Sequence, residues 1–362
     1  MMGSNKNKIT SGQLLTFIMS VQIGLGILTS PSVLVKRIGH DSWISVFITG
    51  FIYAFLGVLI IIFLRRYKDK SIMEINYLLY TKIIGYIINL LIIAYLFFAT
   101  VLALRLFTEI INIGVLKLTP GVIIAALLII PFIHMTWYGL KTICRFDRII
   151  VFIMVTMVLF FMLFLGSIRY TFLMPVGQTG LVKIIKGIVP SSLAFLGIEL
   201  IVVIYPDISD KGKLIKSVIT ANIATTLFYV LLIVVLTGVF GENLLKHLVF
   251  PLFSLARAYN APTLERLDLF FVALWLPAMG ITMTGYYYCT LSCLEKLLNT
   301  KKSFLLHMSF CVAVVFASRI PPSLSFVFQL TDTLNLSGLA LIAFILFSLL
   351  LSYLNTRGVM KK

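Results

Sequence analysis

The chain has 362 residues, 60% hydrophobic and 12% charged, against about 25% charged in soluble domains, which excludes a water-soluble globule. Its formal charge of +17, from 30 Lys and Arg against 13 Asp and Glu, would suggest nucleic acid if the basic residues formed a patch. They fall instead in short segments between apolar runs, so the expected surround is a lipid bilayer, with no nucleic-acid partner.

At about 20 apolar residues per crossing, the length fits roughly ten α-helical spans. In order, the apolar runs predict spans over 11-35, 42-64, 83-112, 120-139, 148-168, 185-204, 217-240, 267-292, 303-320 and 335-354. The third, at about 30 residues, would be about 45 Å long and predicts tilt or protrusion. Segments 71-82 and 244-258, with apolar residues at helical spacing, read as interfacial helices. The polar, basic start from Met1 to Thr10 precedes a first run without an obvious cleavage site, so that run is expected to stay. Cys144, Cys289, Cys293 and Cys311 lie in or beside apolar stretches and read as small buried hydrophobes.

Basic residues set the topology. With the N-terminus inside, 19 Lys and Arg fall on inner segments and 10 on outer ones, with Arg105 inside a span. The positive-inside rule therefore places both termini in the cytoplasm, which needs an even number of spans.

The first span contains Ile23-Gly24-Leu25-Gly26-Ile27-Leu28-Thr29-Ser30-Pro31. Two glycines and a proline weaken the helix at mid-membrane depth, where irregular backbone is tolerable only against protein or a wet cavity. A Gly-lined packing face is the competing reading. A second interruption, from Pro190 through Ser191, Ser192, Ala194, Phe195, Leu196 and Gly197 to Glu199, falls in the sixth span. Breaks in spans one and six predict a five-plus-five inverted repeat, over 11-168 and 185-354, within a single membrane domain of 1-362. Paired breaks of this kind point to a transporter-type binding site.

Gly24-Leu25-Gly26-Ile27-Leu28 with Pro31, then His40-Asp41-Ser42-Trp43-Ile44-Ser45 and Gly50, and later Glu265-Arg266-Leu267-Asp268 leading to Trp275, resemble the spore germination permease family, the B subunits of endospore germinant receptors. That resemblance implies an all-α polytopic membrane protein of the amino acid, polyamine and organocation transporter superfamily, with the inverted repeat first seen in a bacterial leucine transporter. It also implies residence in the spore inner membrane, an A subunit and a lipoprotein C subunit as partners, and a small nutrient, often an amino acid, as ligand.

A zwitterionic amino acid needs donors for its carboxylate and acceptors for its ammonium. Unwinding near Gly24 to Leu28 would free N–H groups for the carboxylate, and carbonyls around Ala194 to Leu196 would accept from the ammonium, with Phe195 closing over the ligand. Glu199, well inside the sixth span, is a functional candidate by position: it receives the ammonium, binds a proton or holds the half-helix, or it is a structural carboxyl. Arg105 and Glu109, four residues apart, read as a structural pair or an outer gate. Thr284 and Tyr287 belong to a polar, aromatic run in the eighth span that suits a pocket lining or an interface belt.

Asp207 and Asp210 read as helix caps. His40, His134, His247 and His307 are dispersed, and neither metal-ligand spacing nor a nucleotide or nucleophile motif occurs, so no metal, cofactor or catalytic residue is expected. The favoured function is a nutrient-sensing receptor subunit. Proton- or Na⁺-coupled amino acid transport is the alternative, and an intramembrane enzyme is disfavoured by the lack of clustered acids.

Overall fold

In lipid every backbone polar group must find its partner within the protein, so a chain this apolar has little choice but to form helices. The computed structural model describes residues 8–258, 267–300 and 303–354. Fourteen α-helices occur there: α1 (Ser11–Ile38), α2 (Ser42–Arg65), α3 (Ile72–Leu79), α4 (Lys82–Gly114), α5 (Gly121–Tyr138), α6 (Leu140–Met162), α7 (Leu181–Lys186), α8 (Ile188–Ser191), α9 (Ile201–Ile204), α10 (Leu214–Leu245), α11 (Pro251–Ala258), α12 (Leu267–Leu297), α13 (Phe304–Ala317) and α14 (Leu324–Leu354). The protein is an all-α polytopic membrane protein: seven helices are long and apolar enough to cross a bilayer, and an eighth crossing results if the bent pair of residues 181–195 and 198–207 is one span. The less apolar α12 and the 14-residue α13 occupy the places of the remaining predicted runs.

The short helices α3 and α11 lie where interfacial segments were expected. Two spans start earlier than their hydropathy suggested. In α14, polar Thr331 and Asn335 are buried and hydrogen-bonded, Thr331 to Val327 O at 2.9 Å and Asn335 to Val189 O at 2.7 Å, so polar residues belong to a buried helix rather than to a loop. In α6, Arg145, Asp147 and Arg148 lie in the helix, not in a connection. Asp147 is fully buried, with neither carboxyl oxygen partnered among the described residues.

The first helix corrects one expectation. It runs without interruption through Gly24, Gly26 and Pro31. Each glycine costs a helix only about 1 kcal/mol, and here both are contact points that admit no side chain. A Cβ on Gly24 would strike the side chain of Thr282, and one on Gly26 would strike the Tyr229 hydroxyl and lie 2.8 Å from Ala194 Cα. Close packing keeps the turn wound.

The sixth span is broken. The stretch ending at Phe195 and the one starting at Ile198 are inclined at 53°, with Leu196 extended (φ −61°, ψ 145°) and Gly197 left-handed (φ 114°, ψ −21°) between them. Only glycine takes that second conformation without strain.

The N-terminal segment is pinned to the far end of this span. Ile9 N donates to Asp207 O at 2.8 Å, and Ser209 N donates to Ile9 O at 2.9 Å. Asp210 accepts from Ser11 N and, at 2.6 Å, from Ser11 Oγ, an anion at the start of α1 where the helix dipole favours one. Asp210 thus caps as expected, while Asp207 contributes its backbone carbonyl.

Candidate functional site

The site forms where α1, the break in the sixth span, α10 and α12 converge, with α4 behind. On α1 the turn preceding the glycines is gripped from two sides. Thr282 Oγ1 of α12 lies 3.2 Å from Ser20 O and 3.1 Å from Val21 O, donating to that pair. Tyr229 OH of α10 lies 3.0 Å from Gln22 O and 3.4 Å from Ile23 O. Two hydroxyl donors from other spans thus each lie over a pair of successive helix carbonyls, one proton to each pair. These are the carbonyls that the N–H groups of residues 24 to 27 use in an α-helix.

Gln22 joins α1 to the break. Its Nε2 donates to Phe195 O and to Asn222 Oδ1, both at 3.1 Å, and its Oε1 accepts from Thr225 Oγ1 at 2.8 Å. Asn222 Nδ2 in turn donates to Val218 O at 2.9 Å. All three side chains are buried, and a buried network of this kind is stabilising only when its members are satisfied.

Glu199 folds back onto its own break. Oε2 accepts from Gly197 N at 2.7 Å, while Oε1 accepts from Tyr95 OH at 2.7 Å and Tyr286 OH at 2.8 Å. The residue is 1% exposed. Three donors supply what an ionised carboxylate needs once water is removed.

The structure gathers most of the candidates here. Gly24 and Gly26 face Thr282 and Tyr229, Ile27 and Leu28 are buried beside them, and Leu25 lies on the same turn. Ala194, Phe195, Leu196, Gly197 and Glu199 form the facing break. Phe195 is fully buried, its ring 5.4 Å from that of Tyr53 and 6.3 Å from that of Tyr229.

Two candidates point elsewhere. Thr284 Oγ1 donates to Gly280 O of its own helix at 2.7 Å, and Tyr287 OH donates to His307 O at 3.2 Å, its ring packed on Phe310. The residues of α12 that reach the site are Thr282 and Tyr286. Arg105 and Glu109 form an ion pair at 2.8 Å, well along α4 from Tyr95. Sequence reasoning missed Gln22, Tyr95, Asn222, Thr225 and Tyr229. Asn222, Thr225, Thr226 and Tyr229 recur at helical spacing within an apolar span, a polar stripe that marks a buried face.

A turn at one end of the span is also fixed electrostatically. Asp41, between α1 and α2, accepts from Gly177 N at 2.9 Å and from Thr179 N and Oγ1 at 3.1 and 2.8 Å. Burial raises its pKa, the hydrogen bonds from Gly177 and Thr179 outweigh that, and the carboxyl ends below the usual range.

Comparison with known proteins completes the description. The family model described as "Spore germination protein" matches residues 8–326. The chain belongs to the spore germination protein family. Among the relatives of this spore germination protein, Spore germination protein B2 of Bacillus subtilis (strain 168) is 26% identical over 98% of both chains. Spore germination protein YndE of the same strain is 24% identical over 92% of this chain and 93% of that one, and Spore germination protein GerQB of Bacillus cereus is 24% identical over 74% and 75%. The family match covers the first helix, the broken sixth span and the helices that hold them.

Proposed function

We propose that the protein is the nutrient-sensing subunit of a germinant receptor in the spore inner membrane, with both termini cytoplasmic. It binds a small nutrient, an amino acid, between the Gly24–Leu28 turn and the Leu196–Gly197 break, and an A subunit and a lipoprotein C subunit read the resulting change of conformation.

One observation carries this reading: the carbonyls from Ser20 to Ile23 already have two hydroxyl donors beside them, Thr282 on α12 over the first pair and Tyr229 on α10 over the second. Unwinding the turn leaves one donor at each pair of those acceptors and frees N–H groups of residues 24 to 28 to receive a carboxylate. The ammonium finds acceptors at Phe195 O, Gln22 Oε1 and Glu199. The wound turn is then the unliganded state, and a ligand that binds the unwound one shifts the balance by its difference in affinity.

An inverted repeat over 11-168 and 185-354 fits the order of elements. A long helix, an eight-residue helix and another long helix follow one another as α2, α3, α4 and again as α10, α11, α12. Under the repeat, α2 pairs with α10 and α4 with α12, and both pairs pack directly together. Ten spans complete that arrangement.

The test is reconstitution of the purified chain in vesicles with a panel of labelled amino acids. Saturable binding without accumulation, lost on Gly26→Ala, is expected, since the added methyl group fills the space between Tyr229 and Ala194. Saturable uptake by the chain alone would instead make it a proton- or Na⁺-coupled transporter.

A further inference from the structure

One buried carboxyl has no part in the site described above. Asp147 lies in α6, within a membrane-spanning stretch, fully buried and with neither carboxyl oxygen partnered among the described residues. It interrupts an apolar stripe. Ile143, Cys144, Met154, Met157 and Phe161 are buried at helical spacing along one face of the helix, and Asp147 stands in their row, while Arg145 and Arg148 on either side of it are exposed.

The helix packs against α1, α12, α5 and α10, and no basic group lies near enough for its charge to act on the carboxyl. The titratable side chains of those elements are engaged elsewhere. On α1 they are Lys36 and Arg37, in its last turn. On α5, His134 lies against the ring of Tyr138. On α10, Lys216 is exposed, Tyr229 is bound at Gln22 and Glu242 lies beside His40. On α12, Tyr286 is bound at Glu199, Tyr287 and Glu295 face His307, and Lys296 is exposed. What remains is Cys144, one turn back on α6, within electrostatic reach of Cys289 and Tyr288 on α12, and Cys293 one turn past Cys289. Thiols and phenols are neutral at pH 7 and supply no countercharge.

A carboxylate stripped of water, with neither donor nor cation, is among the costliest groups a protein can bury, whereas the protonated acid is an ordinary polar group with one O–H to place. Among the described residues no group of acidic, histidine or cysteine side chains could hold a metal ion in the proton's stead. We propose that Asp147 is a proton-binding site, which keeps its proton while α6 is packed against α1 and α12 and gives it up in a conformation that opens this face. The carboxyl O–H bond breaks, the proton passes to water and the carboxylate is hydrated in its place. Opening the face thus becomes easier as pH rises. The site is separate from the Gly24–Gly197 region and does not rest on the reading given for it.

Infrared spectroscopy of the purified full-length chain in lipid nanodiscs tests the assignment. At pH 7 the wild type is expected to show the C=O stretch of a protonated carboxylic acid. The band should move in heavy water and on isotopic labelling of the aspartate carboxyl carbons, which separates it from Glu199, and it should be missing from Asp147→Asn. No such band in the wild type, or the same band in the variant, overturns the proposal, as does a band that appears only when Na⁺ is withdrawn. Unfolding in sodium dodecyl sulfate supplies a second reading. Above the ordinary carboxylate value the unfolded chain has released this proton and the folded chain has kept it, so the folded-to-unfolded ratio of the wild type is expected to fall by about tenfold per pH unit relative to Asp147→Asn between pH 6 and 8. Equal pH dependence in the two also overturns it. Asp147→Leu replaces the amide in both measurements if that variant does not fold. Neither result depends on whether Gly26→Ala abolishes nutrient binding.

Discussion

Glu199 shows how one side chain fixes a local geometry. Its carboxylate takes three hydrogen bonds, one from the backbone of the break and two from tyrosines on other spans. Glutamine has the same shape but offers a donor where Glu199 offers an oxygen, so Glu199→Gln places an N–H against Gly197 N or against the tyrosine hydroxyls. A lost and opposed buried hydrogen bond costs about 1–3 kcal/mol. The variant is expected to accumulate in spores while its nutrient concentration for half-maximal germination rises by about tenfold or more, measured against protein level by immunoblot. Unchanged sensitivity would remove Glu199 from the mechanism. The neighbouring tyrosines mark where sequence stops being informative. Tyr286, Tyr287 and Tyr288 are equivalent as letters, yet successive helix positions differ by about 100°. That rotation sends Tyr286 to Glu199 and Tyr287 to His307.

At the scale of elements, the two interruptions read alike in sequence and differ in structure. The sixth span breaks because Gly197 is left-handed and is sealed by Val21, whose Cγ1 lies 2.6 Å from where a Cβ would stand. Gly197→Ala is expected to destabilise the protein by about 1–2 kcal/mol from backbone strain alone, with a further loss from the contact, read as a lowered unfolding midpoint. Gly212→Ala, at a glycine with open space around it and no positive φ, is the matched control and should be neutral. The first span stays wound because its glycines are packing surfaces for Thr282 and Tyr229, more than 200 positions away in the chain. Local propensity records the weakness of that turn, whereas the residues that offset it come from spans seven and eight. The all-helical build, the two short helices between spans and the sixth-span break were therefore legible in sequence. The state of the first turn and the identity of its holders were not.

Across the whole molecule, the sixth span is moored at both ends to the first helix and its flanks. At one end Asp41 holds the Gly177–Thr179 turn, assisted by His40 Nε2 against Pro175 O at 3.0 Å. Because the folded pKa of Asp41 is depressed, its contribution is fully present above the unfolded carboxylate value of about 3.9 and is lost as pH falls through the folded one. Hydrogen exchange at Gly177 and Thr179, corrected for intrinsic rates, is expected to be slow at pH 7 in the wild type and severalfold faster in Asp41→Asn. Acidification below about pH 4 should bring the wild type toward the variant. Equal protection at pH 7 would show that Asp41 does not hold the turn.

The opposite mooring has a practical side. Ile9 is fully buried and hydrogen-bonded to both Asp207 and Ser209, so the first described residues of the chain are tied to the half of the sixth span that ends at Asp207. A fluorophore attached just ahead of Lys8 becomes a handle on that half-helix, reporting its swing without a label inside the membrane. A bulky fusion at the same point works as a brake on it. The choice of which terminus carries a tag is thereby a choice about the proposed switch.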